Sequence, residues 1–274
     1  MQKIVRALLE KHGITLCAPL ALRHCRVQRP YLLERVGITD GTAFLFAVPY
    51  YTTHCDHPAR NISAYAVSRD YHLYFRSLFD EILPQLQAAF PQNRFAGFTD
   101  HAPIAEVDAA VRAGLGVRGC NGMLLTERYG SYVFLGEIVT DACLEATPAE
   151  PKGCADCGAC LNACPVALRA ADCLSALTQK KQPLDEKELI ALRAHGCAWG
   201  CDRCQAACPV NLAAKKRGSI YTEIPFFAED ALPSLTADAV EAMSEEAFAA
   251  RAYSWRGKQV ILRNLRELEK GDAQ

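Results

Sequence analysis

Nine cysteines between Cys154 and Cys208 stand at spacings that hold metal. The first run, Cys154-Ala-Asp-Cys157-Gly-Ala-Cys160-Leu-Asn-Ala-Cys164-Pro165, reads C-x2-C-x2-C-x3-C-P. The second, Cys201-Asp-Arg-Cys204-Gln-Ala-Ala-Cys208-Pro209, repeats the last three cysteines and the proline. Three thiolates so closely spaced hold three corners of one iron–sulfur cubane, and the fourth reaches over to the other cluster. The doubled run predicts two [4Fe–4S] clusters. Two four-cysteine zinc sites are the competing reading, since C-x2-C pairs build those as well. A tetrahedral zinc has no use for a tight triplet with a swapped fourth ligand, which favours iron.

A symmetric pattern would begin its second run at position 198, which is Ala198. Cluster one takes Cys154, Cys157, Cys160 and Cys208. Cluster two takes Cys164, Cys201 and Cys204, with Cys173 or Cys197 as its fourth ligand, and spacing leaves both open. The other five cysteines (Cys17, Cys25, Cys55, Cys120 and Cys143) have no partner at ligand spacing and read as small buried hydrophobes.

Asp100, in Thr99-Asp100-His101-Ala102-Pro103, is the best candidate acid of the first half, because it follows a strand-like segment. Local sequence offers another role, N-cap of a helix near 103. Asp70, before an amphipathic helix, also reads as a cap. Gly114-Leu115-Gly116-Val117-Arg118-Gly119 spells G-x-G-x-x-G, but it follows a helical stretch that Gly114 ends, so it is not expected to bind a dinucleotide.

These groups need elements to hold them. Gln2 to His12 reads as an amphipathic helix with Ile4, Val5, Leu8 and Leu9 on one face, ended by Gly13. Ala43–Val48, Arg94–Phe98 and Tyr132–Val139 read as short strands. Leu73–Phe90 reads as a helix that Pro84 should kink or break, and Ala105–Ala113 as another. The expected fold is an α/β domain over 1–150, a ferredoxin-like two-cluster domain over 151–213 and a helical segment over 214–274, with the first boundary at the proline-rich Thr147–Pro151. In the last two parts, Asp185–Ala194 should form a helix capped by Asp185 and Glu188, followed by helices near 236–250 and 257–269.

Half of the 274 residues are hydrophobic and 22% are charged, the balance of a globular protein with a core. No apolar run reaches the ~20 residues that span a bilayer. The N-terminal stretch is broken by Arg6, Glu10, Lys11 and His12, unlike a signal peptide. Fourteen cysteines without an export signal point to metal in a reducing, cytoplasmic setting. A net charge of −1 gives no global attraction to nucleic acid but permits a local basic patch.

Several of these segments together resemble the epoxyqueuosine reductases, cobalamin- and iron–sulfur-dependent enzymes of tRNA queuosine synthesis. The resemblance is carried by Phe44 to Tyr50, Ile62 to His72, Phe98-Thr-Asp-His-Ala-Pro103, Ala113 to Gly116, Gly130-Ser-Tyr-Val-Phe-Leu-Gly-Glu137 and both cysteine runs through Asn211, with an echo at Leu262-Arg-Asn264. It implies a first domain that binds a corrinoid, clusters that reduce its cobalt, and reductive removal of an epoxide oxygen in a tRNA anticodon loop. Asp100 then takes the place of the family's proton donor. Ser63, Tyr71, Gly119, Thr126 and Ser131 fall in corrinoid-lining segments, and Cys173 becomes the fourth ligand of cluster two.

The chain departs from the family in three ways. A Trp-x-Gly-Lys-like loop is replaced by Val117-Arg118-Gly119-Cys120, the Cys164–Cys173 connection is short, and helical repeats that hold tRNA are expected to be missing. Arg118, Lys215, Lys216 and Arg217 are the candidate tRNA contacts. An external low-potential donor would supply electrons. A related reductase acting on another substrate, and a ferredoxin-type electron carrier without corrinoid, are the alternatives.

Overall fold

The computed structural model describes residues 1–271 and divides into two compact units drawn from separated stretches of chain. The first comprises 1–50, 74–157 and 213–224; the second comprises 51–73, 158–212 and 225–274. The sequence reading had taken consecutive blocks. No helix among the described residues is long and apolar enough to cross a membrane.

In the first unit, α1 (Gln2–Lys11) buries Val5, Leu8 and Leu9, while Ile4, expected on the same face, is 41% exposed. Strands β1 (Leu16–Ala21), β2 (Thr42–Pro49) and β3 (Phe95–Phe98) precede a small ladder of β4 (Val117–Arg118) and β5 (Leu124–Leu125), followed by β6 (Val133–Thr140). The main sheet has the order β1-β2-β6-β3, with every neighbouring pair antiparallel. The content is thus mixed α/β, built on an antiparallel sheet. All eight residues of β2 are buried, as its unbroken apolar run requires at the middle of a sheet covered on both faces. Strand β1, absent from the sequence expectation, tolerates Pro19 because it is an edge strand.

One sheet face carries aromatic packing, with Phe46 6.0 Å from Phe75 and 6.3 Å from Phe79. Gly136 is required there, since a Cβ would lie 2.4 Å from the Phe75 ring. Phe75 and Phe79 belong to α3 (Tyr71–Ala89), with α2 (Pro30–Arg35) preceding it in the chain. Helix α3 continues through Pro84 rather than breaking there, held by the buried Leu78, Ile82 and Leu86. On the other face α4 (Glu106–Arg112) packs Ala109, Ala110 and Val111 with Leu20, Leu45 and Val139.

The second unit is built from short helices: α5 (Ala159–Ala163), α6 (Leu174–Thr178), α7 (Glu186–His195), α8 (Arg203–Ala206), α9 (Pro209–Lys216, its first half), α10 (Ala237–Glu241), α11 (Glu245–Ala249) and α12 (Lys258–Gly271). Helix α7 begins with the expected capping box between Asp185 and Glu188 and ends at a left-handed Gly196. The helix expected over 236–250 is two helices, because Ser244 caps a second start. Trp199 and Tyr253, both fully buried, meet edge to face at 6.2 Å, and the indole N–H donates to Tyr65 Oη at 2.7 Å. Asn264, also fully buried, donates to Thr178 O and Ala198 O, tying α12 to α6 and to the second cysteine run.

Candidate functional site

Asp100 lies where β3 leaves the sheet, in the left-handed region at φ 60°, a conformation that costs an L-residue energy and marks a constrained loop. The helix that follows starts at Glu106 with Ala105 as its N-cap, so Asp100 is not a helix cap. Four contacts hold the loop. Thr99 Oγ1 donates to Leu135 O (2.7 Å), Asp100 N–H donates to Glu106 Oε1 (3.1 Å), Arg29 donates to Ala102 O (2.9 Å), and His101 Nε2 bonds Tyr31 Oη (2.8 Å).

Two further acids, which the sequence reading passed over, lie behind this loop. Burial is the main cause that raises the Glu106 pKa to about 7; the Asp100 N–H and Arg29 oppose it, and the Asp100 charge adds to it. Glu137, on β6 in register with Phe98 and Leu45, is fully buried and has no hydrogen-bond partner for either oxygen. Burial, and secondarily the charge of Glu106, raises its pKa well above the carboxylate range. Asp100 is therefore an exposed acid held by a buried one, a geometry suited to presenting a proton at the loop tip.

The glycine loop behaves as its preceding helix implied. Gly114 takes φ 80° after α4, and a Cβ on Gly116 would lie 2.3 Å from Leu125 O, so these glycines serve the chain's own packing.

Among the described residues no three His, Cys, Asp or Glu side chains converge on one ion; a cubane instead spreads its thiolates over four irons. The donor set fits clusters of that kind. Backbone N–H groups of Asp156, then of Cys120, lower the pKa of the Cys154 thiol. Cys164 Sγ accepts the Leu168 N–H at 3.3 Å, delivered by left-handed Ala167 and Leu168. Hydrogen bonds of this kind to cysteine sulfur are among the features that set cluster potentials. Cys160 on α5 and Cys204 on α8 belong to two helices that pack together. Cys157 is exposed, and Cys208 is half-buried at the start of α9.

For the fourth ligand of cluster two, Cys173 is half-buried, and both it and Cys204 act electrostatically on Cys201. Cys197 also interacts with Cys201, but its thiol is turned to Trp199 O at 3.3 Å and burial raises its pKa to about 12. Ala198 is fully buried and its N–H bonds Asn61 O, a position with no room for a ligand.

Two cysteines expected to be buried are not: Cys120 and Cys143 are exposed. The reason for Cys120 is local. The β4–β5 ladder brings its sulfur to 3.4 Å from Cys154 Sγ and 3.1 Å from Asp156 Oδ1. Cys17 and Cys55 are buried as expected.

The residues expected along a corrinoid are differently placed. The Ser63 hydroxyl is spent on buried Asp202, which also accepts Ala64 N–H (2.7 Å) and Arg60 (2.6 Å). The Thr126 hydroxyl donates to Gly130 O at 2.9 Å and accepts Tyr129 N–H at 3.1 Å. Neither hydroxyl is left to grip a ligand. Gly119 forms a turn with Gly122, its N–H on Met123 O. Tyr71 stacks on His72, and Ser131 is buried. What these segments offer a flat macrocycle is backbone and ring surface, at Gly119, Tyr71 and Ser131.

Of the candidate tRNA contacts, Arg118, Lys215 and Lys216 are exposed, while Arg217 is bonded to Glu127 O at 3.0 Å.

Fold and cysteine set together define a mixed α/β protein with a two-run cysteine segment. Solved structures share that fold. The epoxyqueuosine reductase from Streptococcus thermophilus superposes with TM-score 0.82 at 22% identity, covering all of this chain and 82% of that one. An epoxyqueuosine reductase with an epoxyqueuosine-modified tRNA stem loop gives 0.74 at 24%, covering 97% and 80%. No protein-family model matches the chain. Among curated proteins, the epoxyqueuosine reductase of Gloeobacter violaceus is 38% identical over 195 residues, 68% of this chain and 61% of that protein. That of Listeria monocytogenes is 35% identical over 208 residues, 71% and 53%. The chain is a homologue of the epoxyqueuosine reductases, and its matches span roughly half to three-fifths of those relatives' length.

Proposed function

We propose that the protein is an oxidoreductase that removes the epoxide oxygen of epoxyqueuosine in a tRNA anticodon loop, in the cytoplasm. One observation carries this reading: curated epoxyqueuosine reductases align with two-thirds of the chain at up to 38% identity. The tRNA stem loop held by one structural neighbour supports the choice of substrate.

The reaction adds two electrons and two protons, converting the epoxide to an alkene and water. Two [4Fe–4S] clusters on the cysteine runs carry the electrons from an external low-potential donor. Cluster one would use Cys154, Cys157, Cys160 and Cys208, and cluster two Cys164, Cys173, Cys201 and Cys204. Cobalamin, when bound, supplies a reducible cobalt at the substrate, with the segments of Gly119, Tyr71 and Ser131 as its walls.

Asp100 holds the proton for the leaving oxygen at its carboxyl, and Glu106 fixes the loop backbone that presents it. The experiment is turnover of epoxyqueuosine-containing tRNA by anaerobic protein supplied with cobalamin and a chemical reductant, compared with the free nucleoside. Asp100→Asn should keep iron and cobalamin content while losing most of the rate. Wild-type turnover in that variant would remove Asp100 from the mechanism, and no turnover of either substrate by the cobalamin-loaded parent would overturn the function.

A further inference from the structure

We propose that a cavity in the first unit is a binding site for the phosphodiester backbone of an RNA strand. The cavity, about 510 Å3, is lined by Arg23, His24, Arg26, Arg112 and Arg118, with Asp108 the one carboxylate in its wall. Asp108 pairs with Arg112 on the same helix at 3.3 Å. The guanidinium groups of Arg23, Arg26 and Arg118 make no hydrogen bond or ion pair among the described residues.

The positions of these side chains are built into the fold. Arg26 O accepts Ala105 N–H (2.9 Å), Arg112 O accepts Ala149 N–H (2.7 Å), and Arg118 is bonded on both sides, its N–H to Lys152 O (3.0 Å) and its O to Cys154 N–H (2.9 Å). Four stretches of chain are thus pinned so that their cationic ends share one space. Like charges brought together repel, so in a chain of net charge −1 this convergence raises the energy of the empty cavity and favours an anion within it.

The ligand class follows from the donors. Planar guanidinium forks match phosphate oxygens bidentately, and His24 adds a ring N–H. The volume exceeds that of one phosphate group and reaches the size that takes a nucleotide-scale ligand. The inference rests on the tRNA reading above and names where the strand's backbone is gripped. It also gives Arg118, which stands in the family's lysine-bearing loop, three partners that no sequence motif announced.

The test measures binding of an unmodified anticodon stem-loop RNA to the anaerobic full-length protein by fluorescence anisotropy across 50–200 mM salt, independently of turnover. Each lost phosphate contact lowers the slope of log K against log salt by about 0.7–0.9. Arg23→Gln/Arg26→Gln should therefore lower it by roughly 1.5 and weaken binding at least tenfold at the low-salt end. Lys3→Gln/Lys11→Gln, which removes the same charge from α1, should do neither. Arg118→Lys should bind between the parent and Arg118→Gln. Pocket variants that bind RNA as tightly as the parent overturn the proposal while leaving the substrate reading intact. A parent that binds no RNA sinks both. Inorganic phosphate that binds at the pocket without competing with RNA makes it a small-anion site and overturns the RNA assignment.

Discussion

Glu106→Gln should leave stability unchanged in acid and raise it at neutral and alkaline pH. The Glu106 carboxyl sits behind the Asp100 loop with a pKa near 7, raised chiefly by burial, against an ordinary value of 4.5. The folded state therefore binds this proton more tightly than the unfolded chain. The stability it contributes is fully present below about pH 4.5 and is lost as pH rises through about 7. At 1.36 kcal/mol per tenfold change in proton affinity, the gap corresponds to about 3 kcal/mol in all, of which roughly 2.5 kcal/mol falls between pH 5 and 8. Glutamine has the same shape, never ionises, and keeps a carbonyl oxygen for the Asp100 N–H. The charged groups facing Glu106 are Asp100 on its own loop, Arg29 ahead of α2 and Glu137 on β6. Urea unfolding followed by circular dichroism in oxygen-free buffer, for parent and variant at each pH, reads the difference directly. A difference that stays flat from pH 5 to 8, or a Glu106 carboxyl that titrates near 4.5 by carbon NMR, refutes the reasoning.

Other outcomes follow from the second unit. Asp202→Ala leaves the Ser63 hydroxyl, the Ala64 N–H and Arg60 without their shared buried acceptor, and should cost about 3–5 kcal/mol by chemical denaturation; a loss under about 1 kcal/mol would mean that water replaces the carboxylate. Cys173→Ser should retain about half of the parent's iron after anaerobic reconstitution, one cubane of two, while Cys197→Ser retains all of it. The reverse pattern would reassign the fourth ligand of cluster two.

Much of the frame could be read from the sequence because its signals are local. The apolar run of β2, the capping box of α7 and the Gly114 stop of α4 each depend on neighbours within a few residues, and each stands where its pattern placed it. Strand β1 could not be read that way. Leu16–Ala21 has no β-branched residue and contains a proline, and it becomes a strand only because β2 offers a full ladder to pair with. Pro84 failed as a helix breaker for a related reason: the tertiary burial of Leu78, Ile82 and Leu86 outweighs one missing hydrogen bond.

The site divides along the same line. Cysteine spacing is a one-dimensional signal, and the two runs announced their chemistry directly. Glu137 and Glu106 did not, since a glutamate within an apolar strand and another at a helix start look like ordinary surface acids until register and burial are known. Cys120 joined Cys154, and Arg23 joined Arg118, only through the β4–β5 ladder and the bonds that pin the chain around residues 118 and 153. Ala198 shows how the two kinds of information combine. In sequence it is a gap in a metal motif. In the structure it is a buried methyl whose carbonyl accepts Asn264 and whose N–H bonds Asn61. A thiol placed there would lie in the packed core beneath Trp199, so the fourth thiolate of cluster two has to come from elsewhere in the chain. Cys173, half-exposed and close enough to act on Cys201, meets that requirement, whereas Cys197 is folded inward.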